Sequence, residues 1–305
     1  MISLKQINYA IAVSKTKHFK KAAEMCSVSQ SALSSAITEL ESQLKIQLFE
    51  RDNKKVLITP IGEQFLAKAH EIKICVDDLM QLSQSQQTLF SHPISIGVIP
   101  TIGPYLLPKV LPGIRTAYEE IQLSIVEDQS HVLVEKVRNG ELDTAVLALP
   151  YPIDGLLSFD FWEEDFYFIT HEQDAQAKQC DVYDQQCCIA SSDIDPNTLM
   201  LLEDGHCLKD HVLAVCQFSQ FSVNHTFSGA SLYTLIQMVA SKMGTTLLPE
   251  MALDQLVNNS NELSAVRLDE PSPHRRLALI CRVNYPRVDQ IQALISLFKT
   301  QLENK

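Results

Sequence analysis

A helix–break–helix pattern in the first 45 residues constrains the fold more than any other feature of the sequence. After a first amphipathic helix that should end near Lys15, apolar residues recur at helical spacing from Phe19 to Cys26, and a short break follows at 27–29. Ser29 is a suitable N-cap for the next helix. The apolar stripe of that helix consists of Leu33, Ile37, Leu40 and Leu44. Two helices joined in this way predict a helix-turn-helix.

The face opposite this stripe carries small polar side chains. Such residues let a helix backbone lie deep in the major groove of DNA and bond to base edges or phosphates. Lysines just before the break are placed to contact the phosphate backbone. A merely solvated face is the alternative, but the combination favours DNA binding. The predicted DNA contacts in this region are Lys20, Ser29, Gln30, Ser31, Ser34, Ser35 and Thr38.

A short β-prone run at 56–58 follows, with basic residues before it. This pattern predicts a two-stranded wing with a basic tip, so that residues 1–58 form an otherwise all-α winged helix-turn-helix head. The DNA contacts expected from the wing are Arg51, Lys54 and Lys55. Thr59 and Pro60 then supply an N-cap and a first-turn proline for a new helix.

This next helix carries an apolar stripe at spacings of four and three. The members of the stripe are Phe65, Ala69, Ile72, Val76 and Leu79. Packing against its own domain is one interpretation. Dimerisation is the favoured one, because inverted DNA half-sites require two heads. Residues 59–90 are therefore expected to form a linker and dimerisation helix.

The charge of the chain is divided unevenly along its length. Residues 1–58 carry nine Lys/Arg and five Asp/Glu, whereas the rest carries 16 Lys/Arg and 32 Asp/Glu. A net charge of −12 argues against a protein that coats nucleic acid. A basic head on an acidic body is expected when only the head meets phosphate.

Strands and helices alternate through the body, 91–305. Strands are expected at 94–99, 123–126 and 144–149, with a returning strand at 277–281. This order predicts an α/β domain with a mostly parallel sheet. Thr101 and Ser130 stand where helices should begin, so each is expected to cap a helix. Their hydroxyls could also face a ligand cleft.

Composition limits the remaining classes of function. No run approaches the roughly 18 apolar residues of a membrane span, and the N-terminus lacks an apolar signal-peptide region, so a cytoplasmic protein without membrane contact is expected. No CxxC pair or Cys/His cluster has zinc-site spacing, so no metal and no cofactor are expected.

Most of the eight cysteines are expected to be reduced core residues. This group comprises Cys26, Cys75, Cys180 and Cys281. The adjacent pair Cys187 and Cys188 is a weak redox candidate, because a bond between neighbours is strained.

Cys207 and Cys216 stand apart from the other cysteines. Cys207 follows His206 and opens an apparent helix, on whose apolar stripe Cys216 lies. A helix N-terminus stabilises a thiolate, as would His206 or Lys209 nearby, and the thiolate is the form that attacks peroxide. A depressed thiol pKa is therefore expected at Cys207. Two ordinary buried cysteines remain the alternative.

The head resembles that of the LysR-type transcriptional regulators. The matching residues are Phe19, Ala22, Ala23, Val28, Ser29, Gln30, Leu33, Ser34, Ile37, Leu40, Glu41, Leu44, Leu48, Phe49, Glu50, Arg51, Thr59, Pro60, Ile61 and Gly62. Ser31 and Lys45 depart from the family pattern, in which proline and glycine are usual.

The family resemblance implies a two-lobed, periplasmic-binding-protein-like regulatory domain. Lobe I is expected at about 91–165 and 274–305, and lobe II at about 166–273. The resemblance also implies promoter DNA with inverted-repeat half-sites, a homodimer or homotetramer, and RNA polymerase as a partner.

Within that family, the chain is similar to the peroxide-sensing members along essentially its whole length. The segments that carry this similarity are 99–101, 103–108, 201–210 with Cys216, and 246–249. The similarity implies that Cys207 reacts with hydrogen peroxide, that Cys216 resolves it as a disulfide, and that a thiol reductant resets the pair. The peroxide pocket that it implies is lined by Thr101, Ser130, His206, Asp210 and Arg276.

Two other functions remain open at this point. A regulator of the same family could bind a small metabolite between its lobes, with incidental cysteines. A thiol peroxidase would use the cysteines for turnover, but turnover requires neither a basic head nor a linker helix. The expected function is a redox-responsive activator or repressor of oxidative-stress genes, without enzymatic activity.

Overall fold

The computed structural model divides the chain into two compact units, Met1–Gln86 and Gln87–Lys305. The residues that it describes are 1–52, 55–82, 89–177, 188–218, 228–229, 231–258 and 260–303. Among them, no helix combines the length and the apolar character that crossing a membrane requires.

The first unit is a helical head with a two-stranded wing. Its described elements are α1 (Leu4–Thr16), α2 (Phe19–Met25), α3 (Gln30–Leu44), β1 (Phe49–Asp52), β2 (Lys55–Ile58) and α4 (Pro60–Leu82). The predicted stripe of α3 packs into the core of the unit, where Leu33, Ile37 and Leu40 are buried. Ser29 caps α3 as predicted, because its hydroxyl accepts the Ala32 N–H at 3.2 Å.

Two turns set the wing and the helix that follows it. Lys45, at the C-cap of α3, has φ 56, a left-handed conformation that usually selects glycine. The chain therefore makes this turn with a lysine, where glycine is usual in the regulators that the head resembles. Thr59 caps α4 as predicted, with Oγ1 accepting the Gly62 N–H at 2.9 Å and donating to the Gln47 carbonyl at 2.6 Å.

The apolar stripe of α4 divides into two parts. Ala69 is buried and Phe65 half-buried in the core of the head, because the first turns of α4 pack against α1. Ala69 is therefore unavailable to a partner, and its assignment to a dimer interface is wrong. Ile72 and Leu79, by contrast, are 42% and 64% exposed, with Val76 half-buried between them.

The second unit is an α/β domain built around two mixed sheets. Its first half contains β3 (Ile94–Val98), α5 (Gly103–Ala117), β4 (Leu123–Glu127), α6 (Ser130–Arg138), β5 (Thr144–Leu149), β6 (Leu156–Glu164), β7 (Phe166–His171), α7 (Glu172–Ala177) and β8 (Cys188–Ile189). Its second half contains a 3-10 turn (Ser191–Asp193), β9 (Leu201–Leu202), α8 (Cys207–Val215), β10 (Ser228–Gly229), α9 (Leu232–Ala240), β11 (Thr246–Pro249), α10 (Glu250–Leu256), β12 (Leu263–Leu268), β13 (Arg275–Arg282) and α11 (Val288–Glu303).

The strand order differs from the mostly parallel sheet expected from the alternation of elements. The five-stranded sheet has the order β4-β3-β5-β13-β6, in which β3 is parallel to β4 and β5. The returning strand β13 is antiparallel to both β5 and β6, so the sheet is mixed. The four-stranded sheet, β11-β7-β12-β8, is mixed as well. A returning strand that arrives from a second lobe can enter the sheet in either direction, and helix–strand alternation does not encode that choice.

Candidate functional site

The face of α3 that points away from the core is polar and accessible. Ser31, Ser35 and Thr38 are exposed, and Ser34 beside them is half-buried. The Thr38 hydroxyl donates to the Ser34 carbonyl at 3.0 Å. This face has the accessible donors and acceptors that contacts to a DNA groove require.

The other predicted DNA contacts lie around this helix or outside the described residues. Lys20, in the first turn of α2, and Gln30, the first residue of α3, are both exposed. Arg51 and Lys55 lie on the two strands of the wing, which pair antiparallel. Lys54, at the tip, lies outside the described residues.

The second candidate site surrounds Cys207, which is the first residue of α8 and only 3% exposed. Ser130, the first residue of α6, faces its sulfur, and the Ala148 N–H near the end of β5 donates to it. Two helix N-termini and a strand end therefore meet at one thiol. This is the arrangement that places anions in α/β folds.

Neither Thr101 nor Ser130 caps a helix, contrary to the expectation from sequence. The N-cap of α5 is Ile102 and that of α6 is Gln129, and neither cap makes a side-chain hydrogen bond. Both hydroxyls are instead buried. The Ser130 Oγ finds no nitrogen or oxygen partner among the described residues, which leaves it available to the sulfur beside it.

Gly205 brings the loop before α8 close to α6. Its φ of 98 lies in the region that favours glycine, and a Cβ there would lie 2.6 Å from the Gln129 side-chain oxygen. Any other residue at this position would have a strained backbone, and the end of the Gln129 side chain would have to move. The backbone geometry therefore explains why the motif has a glycine at position 205.

Arg275, not Arg276, is the arginine of this site. Arg275 is 1% exposed, and its guanidinium donates to Thr101 Oγ1 at 3.4 Å and to the Thr101 carbonyl at 3.3 Å. Its Nε donates to Glu164 Oε1 at 2.7 Å, forming a buried ion pair. Arg276 points to the opposite face of β13 and pairs with Asp160 at 2.9 Å on the surface. The expectation for Arg276 is wrong because successive residues of a strand face opposite sides of the sheet.

The pKa of the Cys207 thiol is raised, and not lowered as expected. Burial is the largest cause, and the negative charge of Asp210 adds to it. The hydrogen bond from Ser130, the positive charge of Arg275 and the main-chain bond from Ala148 all lower the pKa, but by less. In this reduced conformation, the site therefore holds a protonated thiol among groups that favour the thiolate.

The other charged residues expected beside the thiol contribute little positive charge. Burial lowers the pKa of His206, which makes its imidazole neutral near pH 7. Lys209 donates to the exposed Asp204 at 2.6 Å rather than to the sulfur. Asp210 lies on the exposed side of α8. Arg275 is the cation that faces Cys207 among the described residues.

His211 is a site residue that the sequence reasoning missed. It follows Cys207 by four positions, the spacing that places two residues on the same face of a helix. Its ring is buried, with Nε2 bonded to the Pro150 carbonyl at 2.8 Å. The four-residue spacing from Cys207 could have identified His211 from the sequence. The prediction for this helix followed its apolar residues and therefore missed it.

Cys216 occupies the opposite end of the same helix. It is the C-cap of α8, with its N–H bonded to the Val212 carbonyl at 3.0 Å, and it is a buried free cysteine. Burial and the nearby charge of Glu270 raise the pKa of its thiol to about 12. The predicted place of Cys216 on the apolar side of the helix agrees with its burial.

Four of the other six cysteines lie among the described residues. Cys281 is buried in β13 and Cys26 is half-buried, whereas Cys75 is exposed on α4, so its assignment to the core is wrong. Cys188 is exposed at the start of β8. Cys180 and Cys187 lie outside the described residues.

Family models match both units. The model of the bacterial regulatory helix-turn-helix protein, lysR family, matches residues 4–63, and that of the LysR substrate binding domain matches residues 87–303. The chain belongs to the LysR family of transcription regulators. It is a DNA-binding regulator and not an enzyme, and its helix-turn-helix is the DNA-binding element.

Several LysR-family proteins are similar to the chain over nearly its full length. HTH-type transcriptional regulator EstR of Acinetobacter baylyi is 37% identical, covering 97% of this chain and 96% of its own. A hydrogen peroxide-inducible genes activator of Dickeya chrysanthemi is 32% identical, covering 93% and 91%. The structure of full-length OxyR of Pseudomonas aeruginosa, in a cysteine-to-aspartate variant, aligns with a TM-score of 0.77 at 29% identity, covering 98% and 95%.

Proposed function

We propose that this LysR-family regulator senses hydrogen peroxide through Cys207 and Cys216. The observation that carries the proposal is the setting of Cys207, a buried thiol at a helix N-terminus that faces the Ser130 hydroxyl and the Arg275 guanidinium. Buried Arg275 is held by Glu164 and bonded to Thr101, so the positive charge that acts on the sulfur is fixed in position. These are groups that stabilise a thiolate and orient a small polar oxidant.

The chemistry proceeds in two steps. The Cys207 sulfur attacks one peroxide oxygen, the O–O bond breaks, and water leaves as a sulfenic acid forms. The Cys216 thiol then attacks the sulfenic sulfur, and a second water leaves as the disulfide forms. A cellular thiol reductant returns the pair to the reduced state.

The disulfide requires a change of structure. Cys207 and Cys216 lie nine positions apart at the two ends of α8, which separates their Cα atoms by about 13.5 Å along the helix axis. A disulfide holds Cα atoms roughly 4.4–6.8 Å apart. Bond formation must therefore unwind α8, and the refolded segment changes the surface of the second unit.

The proposed signal path ends at DNA. Two or four copies bind inverted half-sites of a promoter in the cytoplasm, held together in part by the exposed portion of α4, and the refolded α8 changes the spacing of the heads. RNA polymerase is the partner that responds to the changed spacing of the heads. The name of the Dickeya relative, which links that protein to hydrogen peroxide, supports the proposal.

A second candidate function is regulation by a small metabolite bound between the lobes. Two observations favour it: the raised pKa of Cys207, which slows reaction with peroxide, and the 37% identity to EstR. In that case Thr101, Ser130 and Arg275 hold an anionic or polar ligand, and the cysteines are incidental.

Thiol titration with peroxide separates these functions. The full-length reduced protein is treated with hydrogen peroxide, free thiols are counted, and the peptide containing the disulfide is identified by mass spectrometry. The sensor loses two thiols per chain and gains a Cys207–Cys216 bond. Retention of all thiols at Cys207 and Cys216 overturns the proposal and leaves the metabolite regulator.

Serine variants define the order of events. Cys216→Ser should still form a sulfenic acid at Cys207 but no intramolecular disulfide, whereas Cys207→Ser should remain reduced-like on promoter DNA after peroxide. Cys281→Ser, at a buried cysteine in β13, is the matched control and should behave as the parent.

A further inference from the structure

His211 is a buried base with one unused nitrogen. Its Nε2 lies 2.8 Å from the Pro150 carbonyl, and because a carbonyl oxygen only accepts, Nε2 carries the ring hydrogen. Its Nδ1 is fully buried and has no hydrogen-bond partner among the described residues. Burial also lowers the pKa of the ring, so the neutral form prevails near pH 7. In that form Nδ1 is a bare proton acceptor.

The fold places the His211 ring on the same face of α8 as Cys207. Four residues of α8 separate the two side chains, so they share one face of the helix, and side chains of a helix lean toward its N-terminus, where Cys207 lies. The end of β5 touches both: Ala148 bonds to the sulfur, and Pro150, two residues on, bonds to the ring. The same short segment, 148–150, therefore contacts both the thiol and the imidazole.

Titratable groups from four parts of the chain lie around Cys207 and His211. Asp210 lies on α8 itself. Tyr151 lies in the segment after β5, where burial raises its pKa and the charges of Cys207 and Asp210 raise it further. Arg275 extends from β13, and its charge acts on both Cys207 and His211. Glu164 on β6 neutralises part of that charge. No hydrogen bond from a carboxylate to the His211 ring is found among the described residues, although the charge of Asp210 acts on the ring and partly opposes the effect of burial on its pKa.

We propose that His211 Nδ1 is the base that accepts the Cys207 thiol proton when peroxide attacks, an inference that rests on the proposed peroxide function. The proton moves from sulfur to Nδ1 as the sulfur electron pair forms the S–O bond and the O–O bond breaks. The leaving hydroxide takes the proton back from Nδ1 and departs as water, so that sulfur is oxidised by two electrons and the peroxide is reduced. At the end of the step the His211 imidazole is neutral again and can accept another proton.

This role explains how a buried thiol with a raised pKa can still react at neutral pH. Without a base, the rate would follow the thiolate fraction, which below the thiol pKa rises about tenfold per pH unit. With a neutral imidazole as base, the rate rises only through the imidazole pKa, which lies below its ordinary value, and is then flat. The pH profile therefore distinguishes a base from a residue that merely packs.

The test measures the rate of sulfenic acid formation at Cys207 from pH 5 to pH 9 in the full-length Cys216→Ser protein, with hydrogen peroxide as oxidant. A sulfenic-acid-specific label and mass spectrometry report the product. His211→Gln retains a donor for the Pro150 carbonyl and a similar volume but removes the base. His131→Gln, the same exchange at an exposed histidine of α6, is the matched control.

The expected parent profile is nearly flat above pH 7. His211→Gln should react about 100-fold more slowly at pH 7, as expected for loss of a general base, and its rate should rise about tenfold per pH unit. A tenfold-per-unit rise in the parent itself overturns the proposal, even if the variant fails to fold. Identical profiles for parent and His211→Gln also overturn it while the peroxide function stands. No oxidation of Cys207 at any pH means that the peroxide function itself has failed.

Discussion

At the residue scale, the difference between two neighbouring arginines shows how the site is assembled. Arg275 is buried against Glu164 and Thr101, whereas Arg276 has a side chain 49% exposed and pairs with Asp160. Glu164 is also fixed on its other oxygen, which accepts the Met251 N–H at 3.0 Å. A buried charge is tolerated only when its partners satisfy it, so each member of this cluster depends on the others.

We predict that the same substitution lowers the free energy of unfolding much more at Arg275 than at Arg276. Arg275→Gln leaves the Glu164 carboxylate buried without its partner and should lower the free energy of unfolding of the second unit by about 3–5 kcal/mol. Arg276→Gln removes a surface pair and should cost less than about 1 kcal/mol. Urea denaturation followed by circular dichroism measures both.

A double variant tests whether the lost ion pair causes the loss of stability. Arg275→Gln combined with Glu164→Gln removes both charges, so it should be less destabilised than Arg275→Gln alone. Equal losses for Arg275→Gln and Arg276→Gln would contradict the ion-pair interpretation.

At the scale of single elements, the short helix α8 and its C-cap carry the thiol proposed to sense peroxide, its proposed base and the thiol proposed to resolve it. Leu208 and Val212 bury the side that faces the core. The helix has only nine residues and therefore few backbone hydrogen bonds. The free energy lost when they break is small relative to the energy of a covalent S–S bond. A short helix between two cysteines is therefore an element with two accessible arrangements.

We predict that oxidation removes hydrogen-exchange protection from α8. Amides from Leu208 to Val215 should exchange faster once the Cys207–Cys216 bond has formed, because the bond cannot span an intact helix. Amides of α9, in the same unit, serve as the internal reference. If α8 amides exchange equally slowly in both redox states while mass spectrometry proves the bond, the refolding mechanism is excluded.

The helix α4 gives a second prediction at this scale. Ile72 and Leu79 are exposed on a long helix whose first turns are already packed, and apolar exposure of this kind is removed when a second copy covers it. Ile72→Ser with Leu79→Ser should halve the mass of the assembly in dilute solution, as measured by light scattering.

The control for this prediction uses the same helix. Lys68→Ser with Glu71→Ser removes an exposed salt bridge of α4 and should leave the mass unchanged. An unchanged mass for the Ile72 and Leu79 variant would show that the stripe does not join copies of the chain.

At the scale of the whole molecule, charge separates the two tasks of the chain. The head is basic and the remainder strongly acidic, so phosphate is attracted to the head and repelled elsewhere. Affinity for DNA should therefore depend on a few head lysines and on salt, whereas the acidic unit contributes by positioning the heads.

We predict that Lys20→Ala weakens promoter binding and makes it less dependent on salt. Each phosphate contact contributes about 0.9 to the slope of log affinity against log salt, so the slope should fall by about one. Lys299→Ala, an exposed lysine of α11, should leave both affinity and slope unchanged. Fluorescence anisotropy over a range of salt concentrations measures the slopes, and equal slopes for all three proteins would contradict a phosphate contact at Lys20.

The sequence alone determined the features that depend on nearby residues. The three helices of the head, the Ser29 and Thr59 caps and the wing follow from local spacing and capping, and the structure shows each of them. The placement of Cys207 at the start of a helix was predicted for the same reason, whereas the end of that helix at Cys216 was not. Interactions within a few positions of the chain are enough to specify such features.

The tertiary structure alone decided which side chains meet at the thiol. Arg275 rather than Arg276 faces Thr101 because distant strands fix which side of β13 is inward. The thiol pKa is raised because surrounding elements remove water from a helix N-terminus that local sequence marks as favourable to a thiolate. His211 becomes a bare base because Pro150, 61 positions away, takes its other nitrogen. Burial and partners come from residues far apart in the chain, and no local pattern encodes them.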